Sequence, residues 1–148
     1  FRPPRGYGAI AVARLGGHTF ARTTTFMNDS GRAAAELLSL TGASPAELVV
    51  VHDDADLALG TVRTEFGRGA AGHHGVASIV ASLRTNQFWR IRIGIRPREE
   101  AALPHGNRKR PPAEDFVLRT MRRGERESIE AAIRREGARL LDAPGTFF

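Results

Sequence analysis

The sequence predicts an α/β fold: a single domain, residues 1–148, with a mixed twisted sheet flanked by helices. Three observations carry this. Residues 9–14 and 18–22 have strand character and are joined by Gly16-Gly17, the pattern of a β-hairpin. The run Leu48-Val49-Val50-Val51 and the alternation of charge with isoleucine across residues 90–95 mark two further strands. Between them, Ala33, Ala34, Leu37 and Leu38, and later Val76, Ile79, Val80 and Leu83, fall at helical spacing. Strands alternating with helices define the α/β class, and the hairpin makes the sheet mixed.

Each element has its own local signals. Asn28, Asp29 and Ser30 are helix-capping residues ahead of the first helix, and Gly42 closes it. Ser44-Pro45-Ala46-Glu47 has the form of a capping box with proline at the first helical position, hence a short helical turn. The valine run is expected to be buried on both faces and to end at His52-Asp53-Asp54. Residues 61–65 predict another strand, followed by a glycine-rich loop from Gly67 to Gly75 and the second helix. Residues 90–95 are expected to bury one face. Residues 97–112 hold four prolines and the basic cluster Arg108-Lys109-Arg110, so they read as a solvated loop. A last helix over about residues 125–141 places Ile129, Ala132, Ile133 and Leu140 on one stripe.

Composition narrows the function classes. Hydrophobic content of 41% and charged content of 26% are ordinary for a globular chain. No stretch approaches the roughly 18–20 apolar residues of a membrane span, and no leader pattern is present, so a cytoplasmic location is the expectation. The absence of cysteine excludes disulfides and thiolate metal sites. The sequence opens on Phe1 rather than Met, so less than the full translation product is expected. The net charge of +6 is unevenly placed. Residues 1–83 carry seven arginines and seven acids, whereas residues 84–148 carry fifteen basic residues against nine acids. A one-sided basic excess is the footprint of a protein that meets phosphate backbones.

Three segments could carry chemistry. Thr25-Phe26-Met27-Asn28 lies at a strand-to-helix junction, where Asn28 is either a helix cap or an amide turned into a cleft with both a donor and an acceptor. His52-Asp53-Asp54-Ala55-Asp56 would sit at the carboxyl end of a strand, where α/β sheets place their ligands. Its three carboxylates suggest a divalent cation, but the spacing does not meet the EF-hand pattern, and one aspartate orienting a histidine or a water is simpler. Gly67-Arg68-Gly69-Ala70-Ala71-Gly72-His73-His74-Gly75 contains G-x-G-x-x-G. The βαβαβ context and the acid about 20 residues on that a dinucleotide site requires are missing. What remains is a glycine loop before a helix, which exposes backbone N–H groups to an anion or a carbonyl oxygen. His73 and His74 would diverge by about 100° on a helix, making them poor joint ligands for one metal.

In this order, Thr25 to Gly31 (Thr-Phe-Met-Asn-x-Ser-Gly), Val50 to Gly60 (Val-Val-His-Asp-Asp-x-Asp-Leu-x-x-Gly), the Gly-His-x-Gly loop and Arg90 to Ile95 (Arg-Ile-Arg-Ile-Gly-Ile) resemble bacterial-type peptidyl-tRNA hydrolases. Asp115-Phe116-Val117-Leu118 resembles a further segment of that family. The resemblance implies hydrolysis of the ester between a peptide and tRNA, on a histidine general base oriented by an aspartate. By motif match Asp53 is that aspartate and Asn28 an amide that holds the substrate. Phe26 and Met27 would line the peptide channel, Gly72, His73 and His74 would form the substrate loop, and Arg92 would belong to the tRNA-binding surface. No metal, no cofactor, no membrane and no obligate protein partner is implied. The sequence also departs from the family. The opening strand, the Gly-x-Gly-Asn-Pro-Gly loop and the His-Asn pair that supplies the base do not occur in it. A family asparagine is His74, Glu65 stands where many members carry a basic residue, and Arg96 stands where glycine is usual. An inactive relative that binds tRNA or another RNA is the alternative reading.

Overall fold

The structure, a computed structural model, describes residues 1–103, 112 and 117–142. The α/β class holds, with strands and helices alternating along the chain. The chain forms two compact units, Phe1–Leu48 with Phe66–Trp89, and Val49–Glu65 with Arg90 onward.

The first unit opens with strands β1 (Ile10–Leu15) and β2 (His18–Thr23), paired antiparallel from Ile10 opposite Thr23 to Leu15 opposite His18. Gly16 and Gly17 both have positive φ, +57° and +83°, as a tight hairpin turn of the mirror-image type requires. Arg2 bridges Val12 in antiparallel sense. Helix α1 (Ser30–Thr41) ends at Gly42, whose left-handed backbone sends its N–H to the Leu38 carbonyl at 2.8 Å. Ala9, Ile10 and Ala33 form a buried cluster against which Tyr7, Val12, Leu37 and Leu40 pack. The capping box also forms: Glu47 reaches back to accept from the N–H and the hydroxyl of Ser44, at 2.8 and 2.7 Å. These bonds hold the Glu47 carboxyl below its ordinary range.

The start of α1 differs from expectation. Neither Asn28 nor Asp29 caps it by a side-chain bond. A 3-10 turn, Met27–Asp29, leads straight into the helix, Asp29 pairs with Arg32, and the Ser30 hydroxyl turns back to the Met27 carbonyl at 2.8 Å. A helix N–H that a local cap would have taken is satisfied from elsewhere. Gly31 donates to the hydroxyl of Ser78 at 2.9 Å, on helix α2 (His74–Leu83). The two helices cross so closely there that any side chain at Gly31 would run into the Ser78 carbonyl.

The second unit holds a sheet of three strands: β3 (Val49–Ala58), β4 (Val62–Phe66) and β5 (Trp89–Arg96), in the order β3-β5-β4. β3 and β4 follow one another in sequence, yet β5 lies between them. Leu59 N–H bonds to Arg96, Gly60 N–H to Gly94, and Gly94 N–H to Thr61, so this part of the ladder runs antiparallel. Gly94 has no room for a side chain beside the Ala58 carbonyl.

Two expectations about these strands are corrected. β3 is not buried on both faces, since Val51 is 59% exposed, and it continues to Ala58, so His52, Asp53 and Asp54 lie within the strand rather than at its end. β5 does not leave one face to solvent. Arg90 is 1% exposed and Arg96 is 4% exposed, because the strand is central and its arginines find carboxylate and carbonyl partners.

Beyond the sheet, the expected loop contains a helical turn, α3 (Arg98–Ala101), while Arg108-Lys109-Arg110, Asp115 and Phe116 lie outside the described residues. The last helix, α4, spans Arg123–Asp142. Of its expected stripe, Ala132 is buried and Ile129 half-buried, but Ile133 is exposed, and the Leu140 side chain lies outside the described residues. Among the described residues no helix is long and apolar enough to cross a membrane.

The first turn of α4 is fixed by Glu125. Its oxygens take the fork of Arg119 at 2.5 and 3.0 Å and the backbone N–H of Arg122 at 2.8 Å. The Arg119 fork, then that N–H, push the Glu125 carboxyl down to about 2 from 4.5. A depressed carboxyl stabilises the fold above its unfolded value, and that contribution disappears as pH falls through the folded value. Glu125→Gln is therefore expected to lower Tm relative to the parent chain near neutral pH, with the gap closing between about pH 4.5 and about pH 2. Thermal unfolding across that range checks this; a gap that does not change with pH would contradict it.

Candidate active site

The first unit brings most of the motif residues together. Thr25-Phe26-Met27-Asn28 becomes the entry to the 3-10 turn, held by the Asp29 N–H on the Phe26 carbonyl at 2.9 Å and by the Ser30 hydroxyl. Pinned at this point, the turn holds Phe26 out at 87% exposure and Met27 at 48%, with Asn28 also exposed. Two large apolar side chains left in solvent beside an amide are costly as packing and useful as a binding surface.

The glycine loop ends against this turn. Ala71 and Gly72 both take left-handed backbone conformations, φ +48° and +82°, before the chain enters α2. Ala71 carries a side chain in this left-handed region, which strains it by about 1 kcal/mol. The loop is tied at its base by Asn86, whose amide donates to the Gly67 carbonyl at 3.1 Å, and by the Gly67 N–H on Phe88.

At its other end His73 is the N-cap of α2: its ring Nδ1 accepts from the Val76 N–H at 3.2 Å. Gly75 allows this fold-back, for a side chain there would stand 3.0 Å from both the His73 ring and the Met27 Cγ. Met27, His73 and Gly75 thus form one contact, with His74 exposed in the first turn of the helix.

Elsewhere in this unit a groove of about 460 Å³ runs between the hairpin turn (Arg14 to Thr19) and the end of α1 (Leu40, Thr41). It contains none of the motif residues.

Asp53 and Arg92 belong to the second unit. Asp53 is half-buried in β3, and the His52 ring donates from Nδ1 to its backbone carbonyl at 2.6 Å. Asp54, the next residue, points to the opposite face of the strand and is buried. Arg92, expected at the tRNA surface, is only 13% exposed, with Nε on Asp54 at 2.6 Å and Nη1 on Glu65 at 2.7 Å. Burial alone would lower its pKa, but the hydrogen bonds and charges of Asp54 and Glu65 outweigh it and hold the guanidinium above the ordinary arginine range. This arrangement leaves little of Arg92 to meet a phosphate. Among the described residues no group of three or more histidines or acids is placed to hold a metal ion.

Sequence reasoning missed the roles of Gly31, Ser78 and Gly75, which depend on contacts between segments. It also missed Glu65 as the partner of Arg90 and Arg92. The one available signal was that Glu65 carries the opposite charge from the family's usual residue.

Residues 5–143 match the family model described as peptidyl-tRNA hydrolase. The chain belongs to the peptidyl-tRNA hydrolase family. It is similar to the crystal structure of a peptidyl-tRNA hydrolase in complex with N-propanol, at 26% identity and a TM-score of 0.68. It is also similar to peptidyl-tRNA hydrolase from Acinetobacter baumannii, at 25% identity and a TM-score of 0.67. Each match covers 90% of this chain and 64% of the other, so the chain spans just under two thirds of the length of these relatives.

The cap generates a stability test. His73→Ala should cost about 1 kcal/mol in urea unfolding, and His73→Asn, which restores an N-cap acceptor, should recover most of it. Equal losses in both variants would show that the ring matters for something other than the cap.

Proposed function

We propose that this chain acts as one catalytic domain, residues 1–148, that hydrolyses the ester linking a peptide or N-blocked amino acid to tRNA. The observation that carries the reading is the Met27–His73–Gly75 contact, which sets an exposed apolar turn and an amide against a rigid glycine loop. The family match over residues 5–143 supports it.

In this reading Phe26 and Met27 take the acyl side chains, and the backbone at Gly72 with His73 and His74 faces the peptide. The Asn28 amide donates to the ester carbonyl as negative charge develops on its oxygen. A water adds to that carbonyl carbon, the bond to the ribose oxygen breaks, and the ribose oxygen leaves with a proton. The products are a free peptide carboxylate and tRNA. Asp53 orients the general base that activates the water. Phosphate contact falls to exposed arginines of the basic second half, such as Arg123 and Arg126 on α4, in preference to Arg92. No cofactor is invoked, and a cytoplasmic location follows from the substrate.

The test is release of N-acetyl-amino acid from N-acetyl-aminoacyl-tRNA. Asn28→Ala and Asp53→Ala are each expected to lower kcat/KM by about 100-fold. Turnover that survives Asp53→Ala would sink the mechanism. Salt-sensitive tRNA binding without turnover would favour an RNA-binding relative instead.

A further inference from the structure

We propose that Arg92, Asp54 and Glu65 are a positioning set for Asp53, holding β3 in the register that aims its carboxylate. The role of Asp53 rests on the hydrolase reading above; the brace itself rests on geometry. Arg92, on the central strand, reaches Asp54 on β3 with Nε at 2.6 Å and Glu65 on β4 with Nη1 at 2.7 Å. One guanidinium therefore ties both outer strands to the middle one. The other oxygen of Asp54 accepts the Asp56 N–H at 2.8 Å, so its carboxylate is fixed at both oxygens. A second arginine of β5 holds the same stretch, Arg96 donating from Nε to the Ala55 carbonyl at 2.5 Å.

The consequence for Asp53 comes from the period of a strand. Neighbouring side chains face opposite sides, so anchoring residue 54 to one face sets residue 53 on the other, and a one-residue slip would exchange them. A lysine at position 92 could not replace the fork, because a single ammonium lacks two donors in a fixed plane. Glu65 completes the set: its second oxygen takes Nη2 of buried Arg90 at 3.2 Å, so one carboxylate balances two strand cations. Without it, Arg92 would be held by Asp54 alone, beside a buried like charge.

The experiment uses Glu65→Gln and Glu65→Asp in the whole chain, with two readouts: amide hydrogen exchange at residues 53–56 and hydrolysis of N-acetyl-aminoacyl-tRNA. In Glu65→Gln, exchange at 53–56 should rise about tenfold while the β1–β2 hairpin is unchanged. In the same variant kcat should fall about tenfold with KM within about twofold. Glu65→Asp should recover part of both effects. If Glu65→Gln does not fold, Arg92→Lys, which keeps the charge and loses the fork, is expected to give the same pattern. Exchange that is unchanged at 53–56, or that rises equally in the hairpin, overturns the proposal, as does an unchanged kcat on a loosened segment. A parent chain that hydrolyses nothing sinks the hydrolase reading, and the exchange result still decides whether the brace exists.

Discussion

A strand that carries arginine at positions 90, 92 and 96 through the middle of a three-stranded sheet needs a partner for every charge, and the second unit is arranged around that need. Leaving one member of a buried ion pair alone costs about 3–5 kcal/mol, whereas the pair itself adds little to net stability. The pairs therefore act mainly as a penalty on wrong arrangements. Glu65 meets Arg90 and Arg92, Asp54 meets Arg92, and Arg96 takes the Ala55 carbonyl with Glu100 at 3.7 Å. Because these contacts join β5 to β3 and β4, strand register and charge balance become one condition. A sheet shifted by one residue would strand at least one guanidinium.

The same charges explain which parts of this fold could be read from sequence. The hairpin at Gly16-Gly17, the closing Gly42 and the Ser44–Glu47 box are local devices, complete within a few residues, and they form as expected. β3 was expected to stop at its first charged residues, and β5 to leave its arginines in water. Both expectations treat a charge as a solvent-facing group. Arg92 and Asp54 are 38 residues apart, so nothing near either one in sequence reveals that they meet. The cap of α1 shows the same limit: Asn28 and Asp29 are good capping residues, but Ser78, 47 residues from Gly31, supplies the bond.

The candidate site was legible in part for a related reason. Its residue types and their order lie in the sequence and carry the family resemblance. Why they are spaced so is a matter of packing. Gly31 admits the crossing of α1 and α2, Gly75 admits the His73 ring and Met27, and Ala71 with Gly72 supplies the left-handed turn that delivers His73 to its cap. The result is a short apolar turn held against a stiff loop, with Phe26, Met27 and Asn28 exposed and their backbone fixed. A preorganised surface of this kind spends little conformational entropy when a ligand settles on it.

The most direct measurement of that claim is an NMR titration with N-acetyl-aminoacyl-adenosine in which an amide replaces the hydrolysable ester. The largest backbone amide shifts are expected at residues 26–28 and 72–75. Shifts confined to the hairpin groove near Arg14 and Thr19, or absent from both motif segments at saturating ligand, would contradict it.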